Sequence, residues 1–227
     1  MGTISFKGRH FRREMILQCV RWYLAYGLSY RDMEEIMEER GFCVDHSTIH
    51  RWVTHYSPLL LSAFRKKKRK PGVRWRMDET YIRVKGEWKY YYRAVDRDGE
   101  TIDILLTSKR DKKAALRFLS KAINNNGKPS LINIDKSGAN TAAINQYNST
   151  TGKRVKIRQC KFLNNIVEQD HRLIKRITKP MLGFKNFFCA QRTLAGIELI
   201  RMIRKSQIRK QAGGAKSPAE VFYGLAN

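Results

Sequence analysis

Three acids stand out by their surroundings in a chain dominated by cations. Asp78 lies inside an apolar run, flanked by Trp75, Met77, Tyr81 and Ile82. Asp135 closes "SLINID", where Leu131, Ile132 and Ile134 are apolar enough to be buried. A salt bridge to one of the many Arg and Lys side chains accounts for either aspartate alone. Both together make that reading weaker, because two bare carboxylates on neighbouring strands repel and one keeps its proton. A divalent cation removes the conflict, and an all-oxygen donor set suits Mg²⁺, or Mn²⁺ in its place. A two-metal site needs a third acid, and Glu168 in "NNIVEQDHRLIKR" supplies it. On a helix, His171, Arg172 and Lys175 follow Glu168 at i+3, i+4 and i+7, and Lys175 returns to within about 20° of Glu168. A metal ligand then shares one surface with Arg172 and Lys175, cations suited to DNA phosphate. Asp170 is the rival acid, but it projects about 200° away from Glu168. Glu79 is expected on the opposite face of its strand from Asp78. Asp103, in an alternating segment, is expected to face solvent.

The elements that must position these acids are legible from periodicity. "VRWRMDETYIRV", "WKYYYRAVD" and "ETIDILLTS" read as three strands rich in β-branched and aromatic residues, separated by Lys85-Gly86-Glu87 and Arg97-Asp98-Gly99. "DKKAALRFLSKAINNNG" reads as a helix, "SLINI" as a fourth strand, "ANTAAINQYNSTTG" as a helix and "RVKIRQ" as a fifth strand. The helix carrying Glu168 follows, then a long helix expected over 186–210. Ser217-Pro218-Ala219-Glu220 has the cap, first-turn Pro and N3 Glu of a short last helix. The order βββ-α-β-α-β-α is a mixed α/β layer fold. In such a sheet the first and fourth strands lie parallel and adjacent, which sets Asp78 beside Asp135.

The first 60 residues read as three helices. Ile16, Leu17, Val20 and Leu24 have helical spacing before Gly27; Ser29 and Asp32 make a capping box; Gly41 ends the second helix. Asp45 caps the third, which is expected to stop before Pro58. Its apolar face carries Ile49, Trp52 and Val53, and its polar face carries His46, Ser47, Thr48, His50 and Arg51. This is a helix-turn-helix pattern, and those five polar residues are candidates to reach phosphates and base edges in a major groove. "RKKKRKPG" reads as a basic linker.

Charge agrees with that reading. The chain of 227 residues has 46 Lys and Arg against 20 Asp and Glu, a net +26. Such a surface calls for a polyanion, nucleic acid first and an anionic membrane surface second. No apolar run approaches the ~18 residues of a membrane span. The four cysteines are far apart without a C-x-x-C pair, which does not support a zinc ribbon or a disulfide framework and fits reduced thiols in the cytoplasm.

Several stretches carry a family resemblance: "MDETYI", "YYRAVDRDG", "KFLNNIVEQDHR", "MLGFKNF" and "RTLAGIELI", with "FKGRHF", "SYRDMEEIMEERG", "DHSTIHRW" and "PAEVFYGLA" beyond them. They resemble the DDE transposases of bacterial and archaeal insertion sequences, most closely the small cointegrate-forming family usually numbered six. After Asp135 the chain has Ser137 and Gly138 where Ala-Pro is frequent in that family. The resemblance implies an RNase H-like fold, the catalytic and metal-holding acids Asp78, Asp135 and Glu168, and a two-metal Mg²⁺ site. It also implies double-stranded DNA partners, both terminal inverted repeats and target, a homodimer or higher oligomer on DNA, and a nucleoid-associated cytoplasmic location without membrane contact. The expected organisation is a helix-turn-helix domain over 1–60, a linker over 61–72, an RNase H-like catalytic domain over 73–210 and a tail with a short helix over 211–227. Rival readings are a metal-dependent nuclease of the same fold that cuts without joining, and a helix-turn-helix regulator that needs no acids.

Overall fold

Alternation builds the sheet. In β1 (Arg74–Val84) Trp75 and Met77 are buried on one face, while Asp78 falls on the other. β2 (Glu87–Asp96) returns antiparallel through Lys85 and Gly86, both at positive φ (52° and 78°). Two left-handed residues make the tight turn whose twist matches the strands, and glycine takes the second place without strain. β3 (Thr101–Thr107) completes the antiparallel meander. The chain then crosses through α4 (Lys112–Asn126) to β4 (Leu131–Ile134) and through α5 (Gly138–Thr151) to β5 (Lys156–Gln159), both parallel additions. The strand order is β3-β2-β1-β4-β5, the RNase H-like arrangement expected from the sequence. A single 3-10 turn, Lys161–Asn164, leads into α6 (Asn165–Thr178). The computed structural model describes residues 4–209 and 216–227.

The chain divides into two compact units, one of residues 70–173 and one of residues 1–69 with 174–227. In the sheet unit, Trp75, Met77, Tyr92, Ala94, Ile132 and Ile134 pack with Phe118, Leu119, Ala143 and Ile144 of α4 and α5. In the helical unit, α1 (Arg13–Ala25), α2 (Tyr30–Glu39) and α3 (His46–Lys67) are joined by α7 (Phe187–Arg204) and α8 (Pro218–Tyr223). Both capping boxes form: Ser29 N–H donates to Asp32 Oδ2 at 2.7 Å, and Ser217 N–H to Glu220 Oε2 at 2.7 Å. Asp45 caps α3 by accepting from Ser47 N–H at 2.8 Å. At Gly196 a Cβ would come within 2.5 Å of Ser57 Oγ and 2.6 Å of a Leu24 methyl, so glycine is required for α7 to approach α1 and α3.

Four expectations change. Helix α3 does not stop before Pro58; it continues to Lys67. Proline removes the N–H that would bond the Thr54 carbonyl. Arg192 of α7 donates to that carbonyl instead, at 3.0 Å, so the interruption costs less than an orphaned acceptor would. Residues 61–67 of the expected linker are therefore helix, and the unit boundaries place α7 with the N-terminal helices. The long helix ends at Arg204, followed by Ser206 at φ 54°; Lys210, and 211–215 of the expected tail, lie outside the described residues. Asp103 does not face solvent. It is buried, and α4 supplies its partners: Lys121 Nζ at 2.8 Å and Asn125 Nδ2 at 2.6 Å.

Candidate active site

Register brings the two aspartates to one place. β1 pairs with β4 through Arg74–Leu131, Trp75–Ile132 and Arg76–Asn133. Two residues beyond the last pair stand Asp78 and Asp135. The β4 ladder has ended there, so the carboxylates sit where the sheet opens rather than within it. Asp135 is fixed by its own turn, Ser137 N–H donating to Oδ1 at 3.0 Å. Asp78 Oδ2 lies 3.4 Å from His171 Nε2 of α6.

The helix with Glu168 is tied to the strand with Asp135 by two asparagines. Asn133 is buried, two residues before Asp135. Its amide donates to the Asn164 side chain at 2.6 Å and to the Cys160 carbonyl at 3.0 Å. Asn164 is the last residue of the 3-10 turn, one turn of helix before Glu168. Helix α6 buries Val167, Asp170, His171 and Ile174 and exposes Glu168, Arg172 and Lys175. The rival acid Asp170 is engaged elsewhere: its carboxylate accepts from Arg93 Nε at 3.1 Å and lies 3.0 Å from Nη2, and the Arg93 side chain is wholly buried. Both groups of that pair are compensated, which leaves Glu168 as the uncommitted acid of the helix.

Glu79 takes the face opposite Asp78, as alternation requires. It contacts Arg110 through Oε1 and accepts from Asn140 Nδ2 at 3.1 Å. Burial raises the Glu79 pKa; Asn140 and Arg110 oppose the rise, while Asp78 and Asp135 add to it. Arg110 also lies 3.8 Å from Asp135 Oδ2. Burial works against the Arg110 cation, but Glu79 outweighs it and the net shift is upward. A guanidinium thus stands between Glu79 and Asp135. The oxygens of Asp78, Asp135 and Glu168 are not gathered within 4.8 Å of one another; among the described residues the one triad so gathered is Glu34, Asp45 and His46 at the start of α3.

Of the DNA-contact candidates, His46, Ser47, Thr48, His50 and Arg51 occupy the first turns of α3. Ser47 and Arg51 are exposed; Arg51 Nη2 donates to Thr48 Oγ1 at 2.8 Å. His46 Nδ1 sits 3.0 Å from Glu34 and 3.4 Å from Asp45, an acidic setting that disfavours phosphate. His50 is half-buried, edge-on to Tyr30 at 5.3 Å; burial and then Lys185 lower its pKa. Residues the sequence reading did not assign are Arg93, Arg110, Asn133, Asn140 and Asn164. Arg93 alone left a signal, a cation inside the apolar strand "YYYRAV".

A family model described as a DDE domain matches residues 72–207. The transposase of the insertion sequence-like element IS431mec from Staphylococcus aureus is 40% identical over 229 residues, covering 98% of this chain and 99% of the relative. The transposase of IS257 in transposon Tn4003, also from Staphylococcus aureus, matches at 40% with the same coverage. Among solved structures, the HTLV-2 integrase catalytic core domain in complex with magnesium is similar at 17% identity and TM-score 0.47, covering 67% of this chain and 97% of that one. With this identity along nearly its whole length and a DDE domain spanning its sheet, the chain belongs to the DDE transposases of insertion sequences, enzymes of DNA transposition.

Proposed function

We propose that Asp78, Asp135 and Glu168 are the catalytic acids and together hold two divalent ions, Mg²⁺ or Mn²⁺. The observation that supports this most is the β1–β4 register, which aims Asp78 and Asp135 at the same open end of the sheet. The donors are all carboxylate oxygens, the chemistry hard cations take. When bound, such ions activate the attacking water or DNA 3′-hydroxyl and stabilise the leaving oxygen. The protein's own contribution is geometric. Asn133 and Asn164 hold the Glu168 helix against the Asp135 strand. His171 lies against Asp78 and limits its rotamers. Arg172 and Lys175, exposed along the helix of Glu168, hold phosphates of the DNA end. The first turns of α3, with Ser47 and Arg51 outermost, read the terminal inverted repeats. The products are a nicked element end and then its 3′-end joined to target DNA, in a replicative pathway and by a homodimer or larger assembly on the DNA.

The test is a single reaction with Mg²⁺ and a labelled duplex carrying the element's own terminal repeat. Nicked and joined products support the reading; nicks without joining make the protein a nuclease; binding without either makes it a regulator.

A further inference from the structure

The far end of the β1–β2 hairpin carries an aromatic surface that the acids do not use. The cross-strand pairs Tyr81–Tyr90 and Arg83–Trp88 point to the face that also holds Glu79. β3 pairs with β2 from Tyr90 onward and β4 pairs with β1 through Arg76, so among the described residues Ile82–Lys89 is a two-stranded ribbon with no third strand beside it in the sheet. Its other face is spent, since Ile82 and Val84 are buried. Trp88 is nevertheless 61% exposed and Tyr81 44% exposed. Tyr81 meets Trp88 edge-on at 6.4 Å and Tyr90 at 5.4 Å, so the rings brace one another rather than lie loose. Arg83, the cross-strand partner of Trp88, donates from Nε to the Gly86 carbonyl at 3.4 Å.

We propose that Tyr81 and Trp88, braced by Tyr90 and flanked by Arg83 and Lys85, are a stacking platform for an unpaired base of the DNA being cut. Exposed rings with neighbouring cations are how proteins hold single-stranded nucleic acid: the ring takes the base and the cation takes the phosphate. A paired base has both faces already stacked and gains little from such a ring. Tyr81 is three residues past Asp78, about 10 Å along the strand but on the opposite face, that of Glu79. Its link to the acids is Arg110, which contacts Glu79 on that face and lies 3.8 Å from Asp135 Oδ2. A second copy of this chain is the poorer occupant, because Arg83 and Lys85 would face their like on a molecule of net charge +26.

The inference rests on the reading of Asp78 as a catalytic acid, but its test is kept apart from cleavage by working without divalent ions. Full-length protein is titrated with terminal-repeat duplex whose last three nucleotides are either paired or unpaired, the unpaired stretch carrying 2-aminopurine. Wild type binds the unpaired end roughly ten-fold more tightly than the paired one, and the probe's fluorescence is quenched. Trp88→Ala abolishes both the preference and the quenching; Trp88→Phe keeps most of each. No preference in wild type, or an undiminished preference in Trp88→Ala, overturns the platform while leaving the acids untouched. A fall in sedimenting mass for Trp88→Ala without DNA also overturns it, making this face a self-association surface.

Discussion

At the scale of single residues, two acids two positions apart on α6 have opposite fates. Glu168 is exposed with no ion pair described, whereas Asp170 is buried against Arg93. Replacing them therefore separates chemistry from stability. Glu168→Gln, like Asp78→Asn and Asp135→Asn, removes cleavage and strand transfer while leaving the melting temperature and DNA affinity close to wild type. Full strand transfer by any of the three would remove that acid from the site. Asp170→Asn instead removes the carboxylate that compensates the buried Arg93 cation, at a cost of about 3–5 kcal/mol seen in denaturant unfolding. Lys175→Ala loses end-specific cleavage and Lys175→Arg recovers part of it, because a point contact to phosphate depends on charge more than shape. A wild-type cleavage rate for Lys175→Ala would return this lysine to the solvated surface.

Elements in this chain are completed by groups from outside themselves. The Pro58 gap in α3 is closed by Arg192 from α7. Arg192→Ala then strands the Thr54 carbonyl and destabilises by about 1–3 kcal/mol. In a Pro58→Ala background the restored N–H takes that carbonyl, so the same substitution costs less; equal costs in the double-mutant cycle would refute the exchange. At the α2 capping box, Ser29→Ala costs about 1 kcal/mol. The Asp32 carboxyl is held below its ordinary value, first by the Ser29 N–H and then by the Ser29 hydroxyl. Its stabilisation is thus present above the ordinary carboxylate pKa and is lost as pH falls through the lowered one. Acid titration of wild type against Asp32→Asn reads that difference.

For the whole molecule, charge and division matter most. A net charge of +26 meeting DNA releases many counterions. With six or more phosphate contacts, affinity should fall roughly 1,000-fold between 50 and 200 mM salt. A shallow slope would mean that most of the charge lies away from the DNA. The helical unit draws on both ends of the chain, and α7 contributes Leu194 and Ile197 to its buried residues. A fragment of residues 1–69 lacks these side chains and is expected to melt without cooperativity by circular dichroism, although its three helices are complete.

Much was determined by the sequence alone, where the signal is local. Period-2 and period-3.6 patterns delivered all five strands and the helices between them. The caps at Ser29, Asp45 and Ser217 follow from short-range hydrogen bonds, and the hairpin at Gly86 from backbone sterics. The placement of Asp78, Asp135 and Glu168 on these elements came from the same patterns. Partnerships at long sequence separation were decided only by tertiary structure. Asp103 looked solvated because its strand alternates, yet Lys121 and Asn125 reach it from α4. Pro58 looked like a helix end because its missing N–H is local, while Arg192, which answers for it, lies 138 residues from the Thr54 carbonyl that it satisfies. The Asn133–Asn164 bond and the Arg110 contacts that frame the acids belong to this class too. Periodicity reports which face a side chain takes; which group meets it there depends on the packing of elements far apart in the chain, and that is set by the fold as a whole.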